Sequence, residues 1–256
     1  MTAGRVVELY LVTDTALCGG PDGVVETAVA AARGGVDMIQ IRDHDASTRE
    51  LCSLTTRVID ACRQIAPTST PNATGARRVR VVVDDRLDVA LAAGADGVHL
   101  GQSDLDPSAA RRLADRIVGD GFHIGWSVSN VEQAAAAGRL AQGTIDLVGI
   151  GPFRATATKP DAACPLGLDG VSAVTAVARD AGLANVVIGG VKQPDVRALV
   201  NAGAQGVAVV SAICGQPDPL AATRALRREL DEALAGARSA NDGRGAPERA
   251  DHMGPA

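Results

Sequence analysis

Apolar positions along this chain fall into two alternating textures. Short, nearly unbroken apolar runs occupy residues 9–12, 38–41, 79–83, 97–100, 123–126, 147–149, 186–188 and 207–210. Between them lie longer, Ala-rich stretches of helical character at 24–33, 47–65, 107–118, 131–137, 169–181 and 195–201. A last one spans 218–235, with Pro219 in its first turn. Short apolar runs read as strands buried on both faces, and strands separated by helices form parallel sheets.

An internal pattern repeats one kind of join. The segments Ala32 to Ile39, Ala93 to Leu100 and Ala202 to Val209 each end a helix on glycine and begin a strand a few residues later, and Gly182 before Val186 has the same placing. Glycine supplies the left-handed conformation that closes a helix. Eight such strands, each with a following helix or loop plus helix, predict an α/β fold: a single (β/α)8 TIM barrel over residues 1–235 rather than an open sheet. Residues 66–78, rich in Pro, Ser, Thr and Gly, read as a flexible insertion at the N-terminal face of the barrel. Residues 236–256 carry Gly, Pro and charge without periodicity, which predicts a disordered tail.

Composition narrows the function. A length of 256 residues suits one α/β barrel. Aromatics are 2% of the chain against 46% hydrophobic residues, so Val, Ile, Leu and Ala must fill the core. So few aromatics argue against a base-stacking surface for nucleic acid. A formal net charge of −5 offers no basic footprint for nucleic acid or membrane, so an anionic ligand must be held by local donors. Five scattered cysteines without metal-ligand spacing read as reduced thiols of a cytoplasmic protein. No apolar run nears membrane-spanning length, and no secretory h-region precedes Glu8. The sequence leaves a homo-oligomer open.

Barrel sites form at the C-terminal ends of the strands, from the loops that follow them. After the sixth strand comes Gly149 to Pro160, where Thr156, Thr158 and Lys159 set two hydroxyls and an ammonium within four residues. With backbone N–H groups beside them, such donors suit an anion. The seventh and eighth strands end in Gly189-Gly190 and Val210-Ser211, where barrels frequently bind phosphate. Asp84, Asp85 and Asp104 put three carboxylates on neighbouring strand ends, and hard oxygen donors favour Mg²⁺. Helix capping is the competing reading, favoured for Asp106 and open for Asp84. Arg42 and Lys159 are placed to neutralise remaining phosphate charge. The residues therefore predict a Mg²⁺-assisted barrel enzyme acting on phosphorylated small molecules. Plainer expectations attach to His99 as a hydrogen-bonded barrel histidine, His123 as remote from the site, Trp126 as packed outward, and Lys192 as a solvated helix start, with assistance to the phosphate as its alternative.

Taken in order, the segments Leu9 to Asp14, Gln40 to Asp43, Asp85-Arg86, Gly94 to Leu105, Gly125 to Ser127, Gly149 to Pro160, Ile188 to Val191 and Ala208 to Ile213 make a specific set. Through them the chain resembles the thiamine-phosphate synthase family. The resemblance implies coupling of 4-amino-5-hydroxymethyl-2-methylpyrimidine diphosphate with 4-methyl-5-(2-phosphooxyethyl)thiazole, giving thiamine monophosphate and pyrophosphate. It implies that Gln40, Arg42 and Lys159 hold the pyrimidine diphosphate, that Ser127 contacts its pyrophosphate, and that Asp85 and Asp104 carry Mg²⁺. Arg42, Ser127 and Lys159 are then the groups that stabilise charge on the leaving pyrophosphate. Thr156, Thr158, Gly190, Val210 and Ser211 would bind the thiazole phosphate. His44 and Asp84, also on the pyrimidine side, stand where the family usually has lysine and asparagine. The resemblance also leaves two alternatives, a thiazole tautomerase and a non-catalytic thiazole or thiamine phosphate binder. The tautomerase carries a histidine where this chain has Ser129.

Overall fold

Each apolar run is too short to bury itself, so the strands gain by pairing side by side while the helices between them cover the outside. The computed structural model describes residues 7–65, 78–156 and 163–242. Its strands are β1 (Leu9–Val12), β2 (Met38–Ile41), β3 (Arg80–Asp84), β4 (Gly97–Leu100), β5 (His123–Val128), β6 (Leu147–Ile150), β7 (Asn185–Val187) and β8 (Val207–Val209). They pair in parallel in chain order and close when β8 meets β1, giving a TIM-barrel-like closed barrel. Around it lie α1 (Pro21–Gly34), α2 (Thr48–Arg63), α3 (Leu87–Ala93), α4 (Pro107–Ile117), α5 (Val131–Gly138), α6 (Gly167–Asp180), α7 (Val196–Asn201) and α8 (Pro219–Asp242). A short 3₁₀ turn, Gln193–Asp195, leads into α7.

Strand side chains alternate between two apolar layers. Tyr10, Met38, Val82, Leu147, Val186 and Ala208 fill the barrel interior. Their neighbours Leu9, Ile39, Val83, Val148, Val187 and Val209 pack outward against the helices. At the N-terminal end Asp37, almost fully buried, accepts from the Leu9 N–H at 3.0 Å and from Arg227 of α8 at 3.3 Å. Arg227 also reaches Glu8 at 2.8 Å and Asp231 at 2.6 Å, tying the last helix to the first strand.

The expected glycine joins are present: Gly35, Gly94, Gly182 and Gly203 all have positive φ where a helix gives way to the next strand. Boundaries differ by a residue or two at β3, β5, β6, β7 and β8. The sequence pattern did not resolve α3, a helix of seven residues. One boundary needs correction: α8 continues past Ala235 and Gly236 to Asp242 instead of giving way to a tail at 236. A glycine in a helix costs about 1 kcal/mol, and Ala237, packed against the core one residue later, offsets it. Of the expected insertion at 66–78, residues 66–77 lie outside the described residues, as does the tail from 243 onward. Among the described residues no helix is long and apolar enough to cross a membrane.

Candidate active site

The two-residue period that buries Tyr10 and Val82 carries on up the strands, so the last inward positions meet at one mouth. Val12, Gln40, Asp84, His99, Ser127 and Gly149 are such positions, and with Tyr10 below them they line a cavity of about 400 Å³. The loops beyond them add Arg42, His44, Asp85, Asp104, Ser129 and Thr156 to the wall. From the far side come Gly190, Val210 and Ser211. All the described residues expected at the site therefore share one cavity. Thr158 and Lys159 lie outside the described residues.

On the β2–β3 side, Asp84 is the hub. Tyr10 Oη donates to Gln40 Oε1 at 2.8 Å, which fixes the amide so that its Nε2 donates to Asp84 Oδ1. Burial, with the nearby Asp84 charge, pushes the Tyr10 phenol well above its usual range, so it stays a protonated donor. The other Asp84 oxygen faces Arg42 Nε at 3.5 Å and His44 Nε2 at 3.6 Å. Asp84 thus does not cap α3, whose N-cap is Arg86. Asp106 does cap α4, accepting from the Ala109 N–H at 3.0 Å.

Asp85 is the one non-glycine among the described residues with positive φ, at 57°. A residue with a Cβ takes this conformation at about 1–2 kcal/mol, and here the Asp85 N–H donating to His99 O at 2.8 Å holds it. Ligand atoms of His44, Asp84 and Asp85 then lie within 4.8 Å of one another. Asp104 shares the cavity but not that cluster, because its Oδ2 accepts from the Gly101 N–H at 2.7 Å.

Across the barrel, His99 Nε2 lies 3.1 Å from Ser127 Oγ. Gly125 and Gly149 flank the ring, and a Cβ added at either would come to 3.0 Å from its Cε1. His99 was expected only as a barrel histidine; the structure makes it a cavity residue in contact with an expected site serine. Strand register held that information, since His99 pairs with Gly125 and Ser127 with Gly149. His123 does lie away from the cavity, and Trp126 packs against the outer core while its Nε1 donates to Gly101 O at 3.3 Å.

The loops after β6 and β7 are joined backbone to backbone. Phe153 N–H donates to Ile188 O at 2.8 Å and Arg154 N–H to Gly189 O at 2.9 Å. Gly189 has φ 96°, and a Cβ there would meet Pro152 Cα at 2.6 Å, so only glycine permits the approach. Arg154 forms a bidentate pair with Asp195, both contacts at 2.6 Å. Lys192 is exposed at the start of the 3₁₀ turn, as expected, and from there also places Nζ 2.8 Å from Ser211 Oγ. Neither contact was foreseen, because each joins residues distant in sequence.

Strand-end chemistry of this kind fits many barrel enzymes, and comparison with known proteins decides among them. A profile of the family described as "Thiamine monophosphate synthase" matches residues 9–213. The chain belongs to the thiamine-phosphate synthase family. It is similar to the thiamine-phosphate synthase of Azorhizobium caulinodans, with 41% identity over 225 residues, covering 88% of this chain and 95% of that protein. The solved thiamine phosphate pyrophosphorylase from Pyrococcus furiosus superposes with a TM-score of 0.72 at 31% identity, covering 89% of this chain and 97% of that one. A 3-hexulose-6-phosphate synthase structure matches with a TM-score of 0.62 at 23% identity, a likeness of fold alone. Membership carries a catalytic function of the thiamine-phosphate synthase type.

Proposed function

We propose that the protein couples 4-amino-5-hydroxymethyl-2-methylpyrimidine diphosphate with 4-methyl-5-(2-phosphooxyethyl)thiazole, releasing thiamine monophosphate and pyrophosphate. One observation carries this reading: a single cavity gathers a cationic and acidic wall from β2, β3 and β4 opposite a glycine and hydroxyl wall from β7 and β8. Two phosphorylated substrates with different anionic groups call for two such walls.

In this reading Gln40, Arg42 and Lys159 hold the diphosphate, with His44 and Asp84 beside them, while Ser127 donates to the departing pyrophosphate. The C–O bond to pyrophosphate breaks as the pair of electrons leaves with oxygen, and the thiazole nitrogen closes a new C–N bond at the same methylene. Charge grows on the leaving group, so fixed donors matter more than a general base. His99 holds the Ser127 hydroxyl at a set position. Thr156, Thr158, Gly190, Val210 and Ser211 seat the thiazole phosphate.

The donor set suits a hard cation: carboxylate oxygens of Asp84 and Asp85 lie together, and Asp104 stands on the same wall. Asp85 and Asp104 would hold Mg²⁺, with Asp84 and His44 adjoining. Bound there, Mg²⁺ supplies countercharge to the pyrophosphate.

Incubating the protein with both substrates and Mg²⁺, then measuring thiamine monophosphate and pyrophosphate in equal amounts, tests the reading. Isomerisation of the thiazole phosphate without coupling, or binding without turnover, would overturn it.

A further inference from the structure

Cations within the described cavity wall are confined to the β2 side, where Arg42 and His44 lie against Asp84. The opposite wall, built from Ile188 to Val191 and Ala208 to Ser211, is lined by backbone, apolar side chains and one hydroxyl. A phosphate monoester dianion seated there needs a positive charge nearby. Lys192 is not part of the wall, yet its ammonium touches the wall's hydroxyl: Nζ donates to Ser211 Oγ at 2.8 Å. With its oxygen occupied as an acceptor, Ser211 keeps its own O–H to donate into the cavity.

The ammonium could instead be drawn to Asp195, which accepts from the Lys192 backbone N–H at 2.9 Å. Arg154 competes with it there by pairing with both Asp195 oxygens. Burial raises the Asp195 carboxyl, but the Arg154 hydrogen bonds and the Lys192 N–H outweigh it, and the group stays ionised below its usual range. Arg154 also fixes its own end: its backbone is bonded to Gly189, and its guanidinium stacks 4.5 Å above the Phe153 ring. The loops after β6, β7 and β8 are thereby linked in series.

We propose that Lys192 is a positioning residue for the phosphate monoester of the second substrate. It acts through Ser211, and the Arg154–Asp195 pair keeps its ammonium available. This rests on the proposed function for the identity of that substrate, while the charge arrangement itself applies to any phosphate monoester in the same seat.

Four variants and two readouts test it. Lys192→Gln raises KM for the thiazole phosphate about tenfold or more, with KM for the pyrimidine diphosphate and the melting temperature unchanged. Lys192→Arg restores most of the loss. Arg154→Gln frees Asp195 to compete for Lys192 and gives the same selective KM defect, which adding Asp195→Asn reverses. Calorimetric titration with inorganic phosphate, with no turnover required, shows weaker binding in Lys192→Gln than in the wild type. Equal rises in both KM values, or unchanged phosphate affinity in Lys192→Gln, overturn the inference. Phosphate weakening without any thiamine monophosphate synthesis in the wild type would keep it and sink only the substrate assignment.

Discussion

A methyl group added at Gly125 tests whether the His99–Ser127 contact matters to turnover. A Cβ built there lies 3.0 Å from His99 Cε1 and 3.1 Å from Cγ, and nearer still to Nδ1, where ordinary contact begins at 3.4 Å. The backbone of β5 is fixed by pairing on both sides, so the imidazole must give way. A retreat of roughly 1 Å takes Nε2 out of hydrogen-bonding reach of Ser127 Oγ, now 3.1 Å away. The overpacking costs about 1–3 kcal/mol of stability, within what a folded domain tolerates. A misplacement of about 1 Å at a reacting site costs about 100-fold in rate. Gly125→Ala is therefore expected to lower kcat/KM for thiamine monophosphate formation about 100-fold while circular dichroism shows a folded barrel. If the effect runs through Ser127, the Gly125→Ala/Ser127→Ala double variant is no slower than Ser127→Ala alone. Wild-type turnover in a folded Gly125→Ala, or a full further loss in the Ser127→Ala background, would refute the reasoning.

Asp84→Asn relieves the carboxylate that engages Gln40, Arg42 and His44, and we expect kcat/KM for the pyrimidine diphosphate to rise roughly tenfold, with His44→Lys acting in the same direction. The two changes should be non-additive, since the side chains are 3.6 Å apart; independent effects in the steady-state cycle would count against the hub. Arg227→Met strands buried Asp37 without its counter-charge and should cost about 3–5 kcal/mol in urea unfolding, most of it recovered by adding Asp37→Asn. Burial holds the His123 imidazole down to about 3, with the Arg80, His99 and Arg111 charges adding to it. The unfolded chain therefore takes up that proton near pH 6.5 and the folded chain does not. His123 penalises folding as pH falls from 6.5 toward 3, by about 1.4 kcal/mol per unit, and has no effect above that window. His123→Asn should remove this slope; identical pH–stability profiles for the two proteins would contradict it.

The strands were legible because their apolar runs are continuous and glycine marks where each begins. Five of the eight differ from expectation at one or both ends, in places because a polar residue such as Asp84 or Asn185 belongs to the ladder by pairing rather than by hydropathy. Helix α3 escaped because Leu87–Ala93 makes fewer than two full turns, too few to display a period. The polar strand ends showed which residues could reach the mouth, and the structure gathers those it describes. Partner choice was another matter. That Asp84 serves Gln40, Arg42 and His44 together depends on how β2 and β3 register. Arg154 meets Asp195 across 41 residues, a contact that exists only once β6 and β7 lie side by side. His99 lay within reach of pattern reasoning: once Ser127 faces inward, period two and parallel pairing place His99 beside it.

Arg227 and its acidic partners give the chain an order of assembly. Asp37 is made 190 residues before the arginine that neutralises it, and β1 finds its second neighbour only when β8 arrives. A nascent chain on the ribosome therefore carries an open sheet edge at β1, with the Asp37 carboxylate still unneutralised, until α8 clears the exit tunnel. Ring closure is therefore a late event, because the free edge of β1 waits for a strand made almost 200 residues after it.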